Sequence, residues 1–160
     1  MKKGFTLIEI MTVLGAVIIF AVIAFPHLSG LVRKRALTAS AQSLTAFVRD
    51  AQQRSILQED NRYWGVRVEN VADGDRFSLF SALDTVPSGV IIVSTSFVRS
   101  GIEFLEPTAA STDIIFNKIS GKLVNGNCPS PTFNLLVKLA RIGDSNSSEI
   151  IKIYCNGHIE

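Results

Sequence analysis

The most unusual ionisable residue in this sequence is Glu9, a carboxylate inside a long apolar run. Between Phe5 and Val32 the only other ionisable side chain is His27. A carboxylate in a lipid bilayer costs about 2.5–3.5 kcal/mol at mid-depth and less near an end, so it usually has a partner. We therefore expect Glu9 to pair with a cationic group.

The other side chains that could act in catalysis or bind a metal do not form a recognisable active site. His158 lacks both a nucleophile and an orienting carboxylate that could be paired with it. Asp73 and Asp75 offer two carboxylates, whereas calcium takes roughly six to eight oxygen ligands. Cys128 and Cys155, with His158 as the only nearby histidine, fall short of the tetrahedral ligand set of structural zinc. We therefore expect no enzymatic activity, no metal and no cofactor.

The two cysteines could instead form a disulfide. Outside the cytoplasm an even pair of cysteines is more often oxidised than free, and two free thiols are the alternative. A Cys128–Cys155 bond would close a loop of 28 residues. The chain-entropy account gives such a loop roughly 3.5 kcal/mol of stabilisation.

The composition describes one apolar and nearly neutral domain. The chain has 160 residues, of which 47% are hydrophobic and 19% charged, with a formal net charge of +2. These values exclude a disordered protein and a strongly basic nucleic-acid-binding protein. The apolar excess lies before Arg33, whereas residues 33–160 have an ordinary globular composition. We therefore expect a single domain tethered to a membrane.

The apolar run Phe5–Ala24 has the length of one membrane span. As a helix its 20 residues would reach roughly 30 Å, which matches one hydrocarbon core. The alternatives are a cleaved secretory signal, whose apolar region is usually about 7–15 residues, and a plain membrane anchor. Neither alternative explains Glu9. Lys2 and Lys3 favour a cytoplasmic N terminus by the positive-inside rule. The positive charges of Arg33–Arg35 lie on the other side of the run, so the charge count alone is close to a tie.

The first nine residues and Pro26 form a recognisable pattern. A short basic leader ends at Gly4, an aromatic residue follows at Phe5, Glu9 is the fifth residue after the glycine, and Pro26 stands near the end of the run. This pattern resembles the processing signature of type IV prepilins and pseudopilins. The resemblance implies that prepilin peptidase cuts between Gly4 and Phe5 and that Phe5 is N-methylated. It also implies that Glu9 pairs with the Phe5 amine of a neighbouring subunit during assembly.

One helix is expected from Phe5 to about Ile56. Pro26 removes an intrahelical hydrogen bond and should kink this helix, and Gly15 is a second weak point. Beyond Arg33 apolar residues recur at helical spacing and predict a face that packs on a sheet. This stripe comprises Leu37, Ala41, Leu44, Val48 and Ala51, widened by Phe47. The residues that fall mostly on other faces are Ser40, Gln42, Arg49, Gln53 and Arg54.

After residue 58 the pattern changes to short strands separated by turn residues. The predicted strands are Tyr63–Glu69, Arg76–Leu83, Gly89–Val93, Gly101–Leu105, Asp113–Ile119, Phe133–Leu139 and Glu149–Cys155. Six or seven strands after one long helix predict an α+β fold, with the helix packed on an antiparallel β domain. The expected organisation is a leader at 1–4, a transmembrane and filament-core helix at 5–26, its amphipathic continuation at 27–58 and the β domain at 59–160.

Two predicted strands, each followed by a glycine, indicate which subgroup of this class the chain resembles. With the long helix before them, Asp113–Gly121 and Glu149–Gly157 look like the GspH/FimT minor pilins. This resemblance implies a structural subunit of a type IV pilus or of the type II secretion pseudopilus. It places the chain in the inner membrane, with a cytoplasmic N terminus and a periplasmic strand domain. The implied partners are prepilin peptidase, other pilin subunits, the inner-membrane assembly platform and membrane lipid.

Two alternatives stay open within this class, namely a major type IV pilin and a FimT-like pilin that takes up DNA. Nucleic acid is not an expected partner, because residues 107–160 carry five basic against four acidic side chains. The tail Gly157–Glu160 has no arginine and ends in a carboxylate. The basic cluster Arg33–Arg35 is expected to contact lipid headgroups before assembly.

Overall fold

The computed structural model describes residues 6–71, 74–86, 89–124 and 134–160, without the side chains of residues 23–31, 33 and 145. These residues form one long helix, α1 (Leu7–Ile56), a 3₁₀ turn at Glu59–Asn61 and seven strands. The strands are β1 (Tyr63–Glu69), β2 (Arg76–Ala82), β3 (Ile91–Phe97), β4 (Ile102–Glu106), β5 (Ser111–Phe116), β6 (Asn134–Arg141) and β7 (Asp144–Tyr154). The chain divides into two compact units, Met1–Arg35 and Ala36–Glu160.

The strands of the second unit form two antiparallel sheets. One sheet has the order β3–β2–β1–β5 and the other the order β4–β6–β7. Asp75 joins them, because its Oδ2 accepts a hydrogen bond from the backbone N–H of Phe104 at 2.5 Å and its carbonyl accepts one from Val98 at 2.9 Å. The predicted α+β fold, with a long helix and an antiparallel strand domain, is confirmed.

The core of this unit lies between α1 and the inner faces of both sheets. The predicted stripe is buried at all five positions, with exposed fractions between 0 and 8% at Leu37, Ala41, Leu44, Val48 and Ala51. Phe47 packs edge-to-face on Phe77, with ring centroids 5.0 Å apart. Burial of a leucine or valine side chain, as at Leu37, Leu44 and Val48, contributes about 1.5–3 kcal/mol each. The second half of α1 is therefore held by packing on the sheets.

Ser40 departs from the expectation that it faces away from the core. It is only 5% exposed, and its Oγ has no hydrogen-bond partner among the described residues. The position precedes Ala41 on the stripe, so the sheets cover a wider arc of the helix than the apolar residues alone indicate. A buried hydroxyl without a partner costs about 1–3 kcal/mol.

The strand boundaries differ from the sequence-based ones where a contact distant in sequence decides them. The strand predicted to reach Ile119 ends at Phe116, because Asn117–Gly121 turns across the end of α1 and the N–H of Ile119 donates to Ser55 O at 3.2 Å. The third strand lies at Ile91–Phe97 rather than Gly89–Val93, since its pairing with β2 continues to Phe97.

Candidate assembly site

Residues 7–22 of α1 present apolar side chains on every side of the helix. The large apolar side chains of its described part are all more than half exposed: Leu7, Ile8, Ile10, Met11, Val13, Leu14, Val17, Ile18, Ile19, Phe20 and Val22. A helix that is hydrophobic all round is normally buried in a protein core, an assembly or a membrane. This surface is therefore the first candidate for an interaction site.

Glu9 lies in the first turn of this helix. Its backbone N–H donates to Thr6 O at 3.1 Å, and its carbonyl accepts a hydrogen bond from Thr12 Oγ1 at 2.9 Å. The side chain is exposed, and no residue in the described part of the chain forms an ion pair with it. The helix N-terminus favours a carboxylate at this position, since the backbone N–H groups there carry partial positive charge.

Several predicted sites fall outside the described residues. Gly4 and Phe5, the predicted cleavage and methylation sites, lie before residue 6. The cationic partner expected for Glu9, the Phe5 amine of another subunit, is therefore a prediction still. The predicted kink of the helix at Gly15 or Pro26 also stays a prediction. The helix is continuous through both residues.

The described side chains of the predicted span 5–26 end at Val22. No helix within the described residues has both the length and the apolarity that crossing a membrane requires. Beyond the run, the side chains of Lys34 and Arg35 are exposed and that of Arg33 is not described.

Cys155 follows directly on the last residue of β7. Its carbonyl accepts a hydrogen bond from the N–H of Leu123 at 3.3 Å. Cys128, its predicted disulfide partner, lies outside the described residues. The disulfide remains a prediction.

The two glycines that end the quoted strand motifs meet at one helix residue. Gln52 Nε2 donates to Gly121 O at 2.8 Å and to Gly157 O at 2.7 Å. Both glycines have positive φ, +62° at Gly121 and +89° at Gly157. A Cβ at Gly157 would lie 2.5 Å from Gly121 O, and one at Gly121 would lie 2.7 Å from Ile56 Cδ1. Only glycine fits either position without displacing a neighbour.

Ser55 makes a second polar connection between α1 and the strands. It is fully buried, and its Oγ donates to Phe116 O at 2.8 Å while accepting from the N–H of Trp64 at 3.3 Å. Neither Gln52 nor Ser55 was singled out in the sequence. A signal existed for Ser55, because it continues the buried stripe one step of four residues beyond Ala51. Gln52 carries no such signal.

An ion pair connects β1 and β5 on the outer face of the first sheet. Arg67 Nε and Nη2 donate to the two carboxylate oxygens of Asp113 at 2.6 and 2.8 Å, and its guanidinium lies 5.5 Å from the Phe80 ring centroid. The hydrogen bond to Asp113 raises the pKa of Arg67. The Arg67 guanidinium is therefore engaged within the sheet.

Tyr154, His158 and Glu160 form a polar cluster where the tail folds back on β7. Tyr154 Oη donates to Glu160 Oε2 at 2.9 Å, and His158 Nε2 lies 3.3 Å from Glu160 Oε1. The hydrogen bond from Tyr154 lowers the pKa of Glu160, and the same contact raises the pKa of Tyr154. The His158 ring is largely exposed, and its centroid lies 5.6 Å from that of the Tyr154 ring.

The described residues do not gather a metal-binding cluster of three or more histidine, cysteine or acidic side chains. Asp75 is buried, with its carboxylate committed to Phe104, and Asp73 lies outside the described residues. Trp64 is also buried, and its Nε1 donates to Glu59 O at 3.1 Å.

No protein-family model and no curated protein sequence matches this chain. Several solved structures are similar to it. The type IV minor pilin FimU of Pseudomonas aeruginosa is similar at 16% identity and a TM-score of 0.57, over 80% of this chain and 89% of FimU. A second crystal form of FimU gives a TM-score of 0.54. The minor pseudopilin EpsH of the Vibrio cholerae type 2 secretion system is similar at 15% identity and a TM-score of 0.52, over 78% of this chain and 94% of EpsH.

These likenesses confirm, at the level of fold, the predicted resemblance to type IV minor pilins and pseudopilins. The shared fold covers most of each chain, including an α+β arrangement of a long helix and antiparallel strands. The two similar proteins are named as a minor pilin and a minor pseudopilin.

Proposed function

We propose that this chain is a minor pilin or pseudopilin, a structural subunit of a type IV pilus or a type II secretion pseudopilus. The observation that carries the proposal is the exposed apolar surface of residues 7–22 of α1, with Glu9 in the first turn, on a chain with the fold of FimU and EpsH. Such a surface needs a membrane or a helical assembly to cover it.

The proposed sequence of events begins in the inner membrane, with residues 5–26 spanning it and the strand domain on the periplasmic side. Prepilin peptidase cuts between Gly4 and Phe5, and Phe5 is methylated. On the assembly platform, Glu9 then pairs with the Phe5 amine of a neighbouring subunit. A charge pair removed from water is strongly favoured over either charge alone, so this contact selects the register of one subunit against the next.

The decisive experiment is an intact mass with N-terminal sequencing of the full chain extracted from membranes. The proposal expects loss of residues 1–4 and the mass of one added methyl group on Phe5. An N terminus beyond Ala24 would identify an ordinary secreted protein, and an intact Met1 a plain membrane anchor. Either of those results overturns the proposal.

Two variants make this experiment specific. Gly4→Val should abolish cleavage, because the resemblance places the cut immediately after this glycine. Gly15→Val is the matched control: a Cβ there meets nothing within 4 Å in the described chain, and the site lies away from the cut. Unchanged processing of Gly4→Val would reject the assigned cleavage site.

A further inference from the structure

The tail of the chain, residues 158–160, adds a short strand to β7, which is the edge strand of its sheet. Lys152 and Glu160 exchange two backbone hydrogen bonds, at 2.8 and 2.9 Å. Ile159 lies opposite Ile153, and both side chains are buried. The tail therefore shows how this edge receives an antiparallel strand.

The tail leaves the preceding part of the same edge unpaired. Hydrogen bonds of an antiparallel ladder alternate between the two sides of a strand, so the backbone groups of Ser148 and Ile150 point to the same side as those of Lys152. The pairing of β7 with β6 is regular over residues 148–154, which keeps this alternation intact. No described residue bonds to the N–H or C=O of Ser148 or Ile150 on that side. Two donors and two acceptors are therefore free to pair with a further strand.

A groove of about 670 Å³ runs along this unpaired edge, between β7 and the second half of α1. Its α1 wall includes Thr38, Ala41 and Thr45. Its β7 wall is Glu149–Ile151, and Glu160 at the end of the tail lines it as well. The groove thus continues where the tail ends. An exposed strand edge of this kind receives extended peptides by strand addition.

The charge of the groove indicates the chemistry of such a peptide. Its charged lining residues are Arg49, Asp50, Glu149 and Glu160. Asp50 is already paired with Arg54 at 3.0 Å. Glu149 has no cationic partner within the described residues. An excess of carboxylates beside an unpaired backbone edge favours a basic peptide and disfavours an acidic one.

We propose that this groove, between α1 and the β7 edge, binds an extended peptide segment of another protein that carries a lysine or arginine. The segment adds to β7 as an antiparallel strand next to the tail and places its basic side chain opposite Glu149. The proposal goes beyond the filament function and does not rest on it.

The alternation of β7 fixes which peptide residue does what. The residues opposite Ile150 and Ser148 make the backbone hydrogen bonds, and the residue between them lies opposite Glu149. Side chains opposite each other share one face of the sheet. That face is the one toward α1, because Ile151 is buried and Glu149 Oε1 accepts a hydrogen bond from Thr38 Oγ1 at 3.3 Å. The basic side chain of the peptide therefore enters the groove.

The test is an NMR titration of the full, isotope-labelled chain in detergent micelles with the peptide acetyl-Gly-Gly-Thr-Lys-Thr-amide. Lysine lies opposite Glu149 in the proposed register, and the two glycines let the peptide turn away before the tail. Saturable shifts should be largest at the amide signals of Ser148 and Ile150, because these N–H groups gain acceptors. Absence of saturable shifts at both amides with millimolar peptide would overturn the proposal.

Two altered peptides separate strand addition from attraction by charge alone. N-methylation of the threonine opposite Ile150 removes the N–H that donates to the Ile150 carbonyl and should abolish binding. N-methylation of the first glycine, outside the paired stretch, should leave binding unchanged. If both modified peptides bound alike, the strand pairing would be wrong.

A charge reversal tests the basic specificity. The same peptide with glutamate in place of lysine should bind roughly tenfold more weakly, because an attractive cross-strand pair becomes a repulsive one. Glu149→Lys should reverse this preference, whereas the control Glu103→Lys, at a half-buried glutamate on β4, should keep it. An unchanged preference in Glu149→Lys would remove Glu149 from the site.

The unmodified chain without peptide tests the choice of occupant. Shifts at Ser148 and Ile150 that grow with protein concentration alone would identify a second copy as the occupant and overturn the proposed one. Constant signals support it. Neither result depends on whether the chain is cleaved after Gly4, so failure here and failure of the filament function are told apart.

Discussion

At the scale of single residues, the strand domain depends on a few positions where backbone and side chains approach unusually closely. Gly157 is the sharpest case. It combines a φ of +89° with a carbonyl that accepts a hydrogen bond from Gln52, and it leaves no room for a Cβ beside Gly121 O. Gln52 in turn holds both glycine carbonyls from the helix side. One helix residue thereby ties together two loops that are far apart in sequence.

Gly157→Ala should destabilise the fold by more than backbone strain alone. A left-handed conformation costs an alanine about 1–2 kcal/mol, and the 2.5 Å approach to a backbone oxygen adds a clash that no rotamer relieves. Gly101→Ala is the matched control, since Gly101 has a φ of +86° but nothing within 4 Å of its added Cβ. Urea unfolding should give a lower free energy of unfolding for Gly157→Ala than for Gly101→Ala. Equal values would show that the close approach is relaxed in solution.

The cluster at the tail gives a pH-dependent prediction. Because the hydrogen bond from Tyr154 lowers the pKa of Glu160 in the folded chain, this contact stabilises the fold above the unfolded pKa of about 4.3. That stabilisation is lost as the pH falls through the lowered folded pKa. Tyr154→Phe should move the pKa of Glu160 up toward its ordinary value, measured by NMR titration. Tyr63→Phe removes a hydroxyl that is not bonded to Glu160 and should leave it unchanged; a shift there would contradict the assignment.

At the scale of elements, α1 carries two different surfaces along one helix. From Leu37 to Ala51 a single stripe is buried against the sheets, whereas the described side chains of residues 7–22 are apolar on all sides and open. Packing of an amphipathic face stabilises the later part within this chain. The earlier part has no such partner among the described residues, so its stability as a helix must come from its surroundings.

Glu9→Gln tests the proposed role of the carboxylate within that earlier part. Thr6 and Glu9 have the spacing of a helix capping box, in which glutamine can replace glutamate, so the helix start is retained. Breaking a charge pair in an apolar setting costs about 3–5 kcal/mol, which predicts at least a hundredfold loss of incorporation into filaments. Membrane insertion and cleavage should be normal in the same cells.

Glu103→Gln, the same change on β4, is the control and should assemble like the unmodified chain. Quantifying each subunit in sheared or secreted filaments against its amount in membranes measures the effect. Normal incorporation of Glu9→Gln would remove Glu9 from the assembly contact.

At the scale of the whole molecule, charge argues against DNA uptake as the function. Residues 107–160 have a net charge of only +1 from five basic and four acidic side chains. One of those cations already has an acidic neighbour, since Arg141 lies 3.9 Å from Asp144. Binding to DNA depends mainly on free cations that displace counterions from phosphates.

A gel-shift titration with duplex DNA at low salt should therefore show no retained complex at micromolar protein. Low salt is the most permissive condition, because phosphate contacts are strongest there. A complex that disappears steeply as salt is raised would instead support the DNA-uptake alternative.

How much the sequence could predict depends on the range of the interactions involved. The buried stripe from Leu37 to Ala51 was readable, since helical periodicity is a local property. The pattern Gly4–Phe5–Glu9 was readable as a motif, but the partner proposed for Glu9 lies on another chain, and no spacing within this one can show it. Strand positions were readable where turns bound them on both sides, as at Tyr63–Glu69.

The tertiary structure decided what the local pattern leaves open. Gln52 reaches Gly121 and Gly157 across 69 and 105 positions of the chain, a meeting that nothing in the local composition around the three residues indicates. An uncharged strand such as Ile91–Phe97 reads alike whether it is central or at an edge; only the order of the sheet shows that it lies at an edge and stays exposed. Periodicity and motifs are set by neighbours in sequence, whereas burial and edge position are set by which distant segments the folded chain brings together.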